Sequence, residues 1–193
     1  MRKFVYVVLS LFFLIPSVAK SGQLGDRVLV EIGSAFFSQH QLECYILIKA
    51  ALSEKGWKAE IALPTAANWE KYLDMFVLDM AIQQESQRLG SFFPSDEAVN
   101  RAIEKIQKLE KVDLAFGTAV DNLRIEKRVL VRTIAMALQV SAYGAGKLGE
   151  VEAGGNSAKQ KAWQEDLLNK FVIRILDGSK IYRQIHPPAA AKG

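Results

Sequence analysis

Residues 76–107, FVLDMAIQQESQRLGSFFPSDEAVNRAIEKIQ, decide the fold class of this chain. Apolar residues recur at helical spacing on both sides of a break, and glycine and proline occur only within the break. The letters LG are typical of a helix end, and SDE is typical of a helix start. The stretch therefore predicts two helices, at about 66–89 and 95–110, joined by an apolar turn that contains Phe92 and Phe93. The apolar stripe of the first helix is predicted to comprise Met75, Leu78, Ala81, Ile82 and Leu89.

The segment upstream of this helix pair is predicted to form two short strands and a helix. Residues 27–32 (RVLVEI) are rich in alternating apolar and β-branched types, and a Gly-Ser turn leads to a second strand at 35–37. Ser38 and Gln41 have the spacing of a capping box, in which each side chain bonds the backbone of the other. The next helix is therefore expected to begin at Ser38 and to extend to about Lys55.

The downstream half is predicted to be helical up to a closing strand. A short helical piece at 112–116 precedes a long helix, which is expected to run from about Thr118 to Tyr143. A further helix at 163–170 leads into a buried strand at 171–176 (FVIRIL). The sequence thus indicates a mainly α fold, in which a small β element pairs the N-terminal strands with the C-terminal strand.

Two segments interrupt this pattern. Glycine clusters in residues 144–161 (GAGKLGEVEAGGNSAKQK), where the apolar period is lost, so we predict a flexible linker there. Residues 184–193 end in prolines and alanines without a period and are predicted to be a disordered tail. The folded domain is therefore expected to occupy residues 20–183.

The first twenty residues resemble an export signal. Arg2 and Lys3 precede an uncharged apolar run at 4–15, which would rise about 18 Å as a helix, short of the roughly 30 Å hydrocarbon core. Small residues follow, so residues 1–19 are predicted to be a signal peptide cleaved after Ala19, which indicates export across a membrane. The alternative is an uncleaved segment that anchors the chain to the membrane.

Composition removes several classes of function. The 193 residues carry a formal charge of +4, but loss of Arg2 and Lys3 leaves 23 basic against 21 acidic side chains. A net charge of +2 does not favour nucleic acid as a partner. One cysteine and two histidines do not supply a usual metal site or catalytic triad. We therefore expect no catalytic, cofactor-binding or metal-binding residues, and a protein that is not an enzyme.

Four stretches, taken in order, resemble the N-terminal domain of the SurA-type periplasmic chaperones. They are RVLVEIGSAFFSQHQL (27–42), the helix–turn–helix stretch at 76–107, DNLRIEKRVLVRTIAMALQV (121–140) and WQEDLLNKFVIRIL (163–176). The resemblance implies a peptide-binding domain. Proteins of this type carry parvulin prolyl isomerase domains of about 100 residues before the Trp-led helix. Here only the stretch 144–161 occupies that place, so the resemblance implies the chaperone domain without the isomerase.

This resemblance implies an ATP-independent chaperone that binds unfolded secreted or outer-membrane polypeptides. Aromatic residues in connections between helices are the candidates for client contact, since loops lie on the surface and exposed apolar groups mark interaction sites. These candidates are Trp57, Trp69, Phe92 and Phe93. The simpler interpretation is that Phe92, Phe93 and Trp163 pack back onto the helices. The alternative function is a non-catalytic adaptor subunit that docks one specific envelope partner. The sequence also leaves open that the chain forms a homodimer.

Three other features have simpler interpretations. His40 is predicted to be an exposed polar residue, and Cys44 a small buried hydrophobe rather than a nucleophile. Basic side chains recur at three- and four-residue spacing near the start of the long helix, at Arg124, Lys127, Arg128 and Arg132. A solvated helix face is the simpler interpretation of this run, and contact with phosphate or anionic lipid is the alternative.

Overall fold

Six helices and four strands follow one another in the part of the chain that the computed structural model describes. That part comprises residues 27–53, 56–58, 64–65, 67–152, 157–177 and 180–186. The elements are β1 (Val28–Ile32), β2 (Ala35–Ser38), α1 (Gln39–Leu52), α2 (Trp69–Arg88), α3 (Asp96–Val112), α4 (Leu114–Leu123), α5 (Lys127–Glu152), α6 (Ser157–Leu168), β3 (Ile173–Asp177) and β4 (Lys180–His186). The predicted signal peptide at 1–19 lies outside the described residues.

The strands form one antiparallel sheet in the order β2-β1-β3-β4. β1 pairs with β3, with Val30 opposite Ile175 and Ile32 opposite Ile173. All four side chains are almost fully buried, because they face the helices. The predicted pairing of the N-terminal strands with a C-terminal strand is confirmed, and so is the mainly α fold.

The sheet packs on α1 and α2 around Phe76, whose side chain is fully buried. The Phe76 ring meets Phe37 of β2 edge-on at 5.7 Å and Tyr45 of α1 at 5.6 Å, between ring centroids. Edge-to-face contacts of this kind add to the free energy gained by burial. These residues belong to a first core cluster that also contains the inward side chains of β1 and β3.

Helix α1 is central to the fold, since apolar residues lie around most of its circumference. Such a helix is stable only when other elements cover it on more than one side. One side contributes Leu42, Tyr45 and Ile46 to the first core cluster. The other side contributes Leu47 and Ile48 to a second core cluster, with residues of α3, α4 and α5.

Helix α5 connects all the core clusters. Over Lys127–Lys147 it is long and apolar enough to cross a membrane by length and composition, a test that core helices of globular proteins also pass. It contacts α1, α2, α3 and α6. Ala137 packs in the first cluster and Ile134 in the second, while Tyr143 packs in a third cluster between α2, α5 and α6. These contacts give α5 a packing role in the fold.

The sequence predicted that the long helix begins at about Thr118, and this start is wrong. Asp113 instead caps α4, accepting a hydrogen bond from the amide of Phe116 at 2.9 Å, and Thr118 lies within that helix. The chain then breaks at Arg124, which has a left-handed backbone (φ 49°). Leu123 and Ile125, on either side of it, both pack against the second core cluster, and this burial holds the turn.

The predicted flexible linker at 144–161 is also wrong over most of its length. Helix α5 continues to Glu152 and α6 begins at Ser157, so only 153–156 fall outside the described residues. One reason is that a glycine here serves packing: a Cβ added at Gly146 would lie 3.0 Å from the ring of Phe92. Tertiary contact of this kind overrides the low helix propensity of glycine.

The C-terminal prediction needs a smaller correction. Strand β4 extends to His186 and pairs with β3, so residues 184–186 are part of the sheet and not of a disordered tail. The remaining residues of that predicted tail, 187–193, lie outside the described residues. The sequence shows little apolar alternation here, but β4 is an edge strand that pairs with β3 through backbone hydrogen bonds, which do not depend on side-chain type.

Candidate functional site

The turn between α2 and α3 exposes a group of large apolar side chains. Leu89 is 49% exposed, Phe92 41% and Phe93 62%. We call residues 89–93 the 89–93 turn. Large apolar side chains that cluster at the surface mark interaction sites more often than scattered ones do, which makes this turn the candidate site.

The backbone of the 89–93 turn follows from its glycine. Gly90 takes a left-handed conformation (φ 61°) directly after Leu89, the C-cap of α2, a position that favours glycine because it has no Cβ. The amide of Gly90 donates to the carbonyl of Gln87, and the amide of Ser91 donates to that of Ser86, each at 3.1 Å. This pair of bonds is the Schellman motif, and it ends α2.

Phe92 is held in an unusual conformation by its contacts. Its φ of 59° is rare for a residue with a side chain and costs on the order of 1 kcal/mol or more. The ring lies edge-on to Tyr143 of α5 at 5.3 Å and against Gly146. Packing on α5 therefore offsets the strain, while Phe93 beside it stays more exposed.

Hydrogen bonds of buried polar side chains on α2 and α5 hold the 89–93 turn in place. The hydroxyl of Ser86 donates to the carbonyl of Ser91 at 2.6 Å, and the side-chain amide of Gln139 donates to the Ser86 oxygen at 3.1 Å. Ser86 and Gln139 are both buried. Since buried polar groups are costly when unpaired, these bonds fix α2, α5 and the turn relative to one another.

Glu85, next to Ser86 in α2, anchors the same region through ion pairs. Its carboxylate is 2% exposed and accepts bonds from Arg88 at 2.7 and 2.9 Å and from Lys170 at 2.6 Å. The Arg88 bond, aided by Lys170, lowers the pKa of Glu85 from 4.5 to about 2, although burial opposes the change. The bond to Lys170 ties the end of α2 to the turn that leads into β3.

Substitution of Glu85 by glutamine is expected to lower the free energy of unfolding by about 2 kcal/mol at pH 7, since a buried charged hydrogen bond is lost. The folded-state pKa is depressed, so the stabilisation is present above pH 4.5 and disappears as the pH falls towards about 2. Urea unfolding at a series of pH values would therefore show the wild-type and Glu85→Gln curves converging in acid.

Glu97 provides a matched control for this prediction. It pairs with Arg101 at 3.3 Å, but its side chain is 78% exposed. Exposed pairs contribute little, so Glu97→Gln should change the free energy of unfolding by less than about 0.5 kcal/mol at every pH. Equal effects of the two substitutions, or a Glu85→Gln difference that persists undiminished at pH 2, would contradict the role assigned to Glu85.

The four predicted client-contact residues do not form one surface. Phe92 and Phe93 lie together in the exposed turn, as described. Trp57 is half-buried, with its ring edge-on to Phe116 at 5.0 Å, in the second core cluster. Trp69 is half-buried as the first residue of α2 and packs against the first core cluster. Client contact by any of the four stays a prediction.

Leu89 is the apolar residue of this surface that the sequence analysis assigned elsewhere. Its spacing from Ile82 places it on the apolar stripe of α2, but the helix ends at Arg88 and Leu89 is left half-exposed. The signal was present in the glycine that follows. A residue directly before a left-handed glycine lies at the helix end, where helical spacing no longer predicts whether a side chain such as that of Leu89 is buried.

His40 and Cys44 are in contact within α1. The Cys44 Sγ lies 3.5 Å from His40 Nε2, and the cysteine is fully buried. Cys44 thus matches the prediction of a buried small residue, whereas His40 is half-buried and was expected to be exposed. A thiol without accessible surface offers no route for a substrate, so the pair does not form a candidate nucleophilic site.

A second buried carboxylate lies between α1 and α2. Asp79 accepts a hydrogen bond from the Tyr45 hydroxyl at 3.1 Å and pairs with Lys49. Burial raises the pKa of Asp79 above its ordinary value, against the opposing effects of Lys49 and Tyr45. Burial and the neighbouring carboxylate also raise the pKa of Tyr45. The three side chains bond one another between α1 and α2, which gives this network a packing role in the fold.

Comparisons with protein-family models, curated proteins and solved structures found no match to this chain. The resemblance to SurA-type chaperones therefore remains a prediction from the four sequence stretches. Within the described residues, no group of three or more His, Cys, Asp or Glu side chains has the arrangement of a metal site. The 89–93 turn is the surface from which a function can be argued.

Proposed function

We propose that this protein is an ATP-independent periplasmic chaperone that shields apolar stretches of unfolded secreted or outer-membrane proteins. The observation that carries the proposal is the exposure of Leu89, Phe92 and Phe93 on a turn with buried polar supports. A rigid apolar surface loses little conformational entropy when a client binds. Burial of apolar groups is not directional, so such a surface accepts many different client sequences.

The expected strength of binding agrees with a transient role. A Leu or Phe side chain contributes about 1.5–3 kcal/mol when it is fully buried, and roughly half of each of these three is available. Together they supply about 3 kcal/mol, which on its own gives a dissociation constant weaker than about 1 mM. The proposal therefore favours clients with several apolar segments, which bind and leave quickly.

The test is suppression of aggregation of an unfolded outer-membrane protein diluted from urea. Phe93→Ser is expected to raise the protein concentration needed for half-suppression by at least about threefold, because each lost contact weakens an already weak complex. Phe36→Ser is the matched control: Phe36 lies on β2, outside the turn, and is 60% exposed against 62% for Phe93. It should leave suppression unchanged within the error of the assay.

Two outcomes would reject the proposal in different ways. Absence of suppression by the wild-type protein would reject the chaperone function itself. Equal loss in Phe93→Ser and Phe36→Ser would reject the 89–93 turn as the contact surface. Recovery of one stoichiometric envelope partner from cells, in place of a range of clients, would favour the alternative of an adaptor subunit.

A further inference from the structure

The chain around the start of α5 carries a basic surface that the proposed function does not use. Arg124, Lys127, Arg128 and Arg132 are all exposed, and we call them the 124–132 basic stripe. Within the described part of the chain, none of the four forms an ion pair. Asp121 and Glu126 are the acidic residues of the surrounding segment, which leaves four basic against two acidic side chains.

The stripe has no evident role within the fold. The first turn of α5 contains Lys127 and Arg128 and no acidic residue. Cations are unfavourable at this end of a helix, because the free amide groups give it partial positive charge. Arg124 occupies a left-handed position that a glycine would adopt more easily. The local structure therefore does not explain the choice of these cations, whereas an external anion would interact favourably with them.

We propose that the 124–132 basic stripe docks this protein on an anionic membrane surface. Charge complementarity supports this occupant, since clusters of about four or more basic side chains bind anionic lipids. The four basic side chains lie within nine residues, all are exposed, and the fold supplies none of them with an ion-pair partner in the part of the chain that the structure describes. Each basic side chain near an anionic surface contributes about 1 kcal/mol of attraction, so four of them favour docking on such a membrane.

Nucleic acid is the less favoured polyanion for two reasons. Surfaces that bind single strands interleave basic side chains with aromatic ones, and residues 121–132 contain no aromatic residue. The apolar run at 4–15, whether signal or anchor, also directs the chain to a membrane. The docking proposal does not depend on the chaperone proposal. The two can fail separately, because the aggregation assay that tests the chaperone function contains no lipid.

The test is co-sedimentation of the full chain with vesicles of phosphatidylcholine alone or with about 30% phosphatidylglycerol. Neutral vesicles supply the baseline for any binding that does not depend on lipid charge. The wild-type protein is expected to bind the anionic vesicles at least about tenfold more strongly at about 50 mM salt, and to lose this preference near 500 mM. The test variant has all four residues of the 124–132 basic stripe changed to glutamine. Its preference for anionic over neutral vesicles should be at least about fivefold smaller than that of the wild type.

The control variant removes the same number of charges from scattered positions. Its substitutions, all to glutamine, are at the exposed residues Lys58, Lys71, Lys108 and Lys159. It should keep the preference for anionic vesicles within about twofold, since the stripe is intact. Urea unfolding of both variants checks that all eight exposed positions are neutral for folding.

Three results would overturn the proposal. The first is equal binding of the wild-type protein to neutral and anionic vesicles. The second is an equal loss in the two four-charge variants, which would assign binding to net charge and not to the stripe. The third is complete displacement from anionic vesicles by single-stranded DNA at the same phosphate concentration, which would indicate a nucleic-acid surface.

Discussion

Replacement of Phe76 by alanine is expected to lower the free energy of unfolding by about 4 kcal/mol. Phe76 is fully buried where the sheet, α1 and α2 meet, and its ring contacts those of Phe37 and Tyr45. The substitution removes the transfer free energy of the ring and leaves a cavity that its neighbours cannot close. It also removes two edge-to-face contacts. Because a domain of this size has about 5–15 kcal/mol of stability, the variant should fold but with a small margin.

The measurement is urea unfolding followed by circular dichroism. We expect a lower midpoint with an unchanged slope, which indicates loss of stability without a change in the surface exposed on unfolding. Leu114→Ala is the control, since Leu114 is 87% exposed and its loss should cost less than about 0.5 kcal/mol. Similar effects of the two substitutions would mean that Phe76 does not lie at the centre of the core.

The helices around residues 76–107 could be predicted because their signals are local. The Leu-Gly end of α2 and the cap by Ser95 depend on residues within one helical turn of each other, and α3 begins at Asp96 in the structure. The pairing of β1 with β3 could also be predicted, since two short apolar strands in a helical chain need a partner. These signals do not require knowledge of tertiary contacts.

Two of the errors occurred where packing overrides the local signal. Gly146 is helical because the ring of Phe92 packs against it, and the two residues are far apart in sequence. The left-handed Arg124 is held by burial of Leu123 and Ile125, which a period-based argument would assign to one continuous helix. No rule of spacing or propensity contains either fact.

The candidate site was predictable only in part, for the same reason. The sequence placed Phe92 and Phe93 together in a turn but did not decide between exposure and packing on the helices; in the structure both are exposed, and Phe92 also packs on α5. The half-burial of Trp57 and Trp69 could not be predicted, because it depends on Phe116 and on the first core cluster. The position of a residue in a loop therefore predicts where its backbone lies. The neighbouring helices and strands decide how much of its side chain stays exposed.

The second large effect is expected at the buried ion pair between α1 and α2. Lys49→Met should lower the free energy of unfolding by about 3 kcal/mol at pH 7, because it leaves the Asp79 carboxylate without its cation. The Asp79 side chain is 7% exposed, so water cannot replace the lost partner. Lys71→Met, which removes an exposed lysine from α2, is the control and should cost less than about 0.5 kcal/mol.

The pH dependence distinguishes this cause from simple loss of packing. Burial already raises the pKa of Asp79 in the folded protein, and Lys49 opposes that rise. Without Lys49 the folded-state pKa rises further, so the folded protein binds a proton more tightly than the unfolded chain does. Stability of Lys49→Met should therefore increase, relative to the wild type, as the pH falls from 7 towards the ordinary pKa of 3.8.

The double variant Lys49→Met with Asp79→Asn completes the test. An amide carries no charge and still accepts the hydrogen bond from Tyr45, so most of the stability lost in Lys49→Met should return at pH 7. The double-mutant cycle, measured by urea unfolding at pH 7 and pH 5, isolates the coupling between the two charges. A Lys49→Met deficit that is independent of pH and remains in the double variant would show that Lys49 acts through its aliphatic chain and not through its charge.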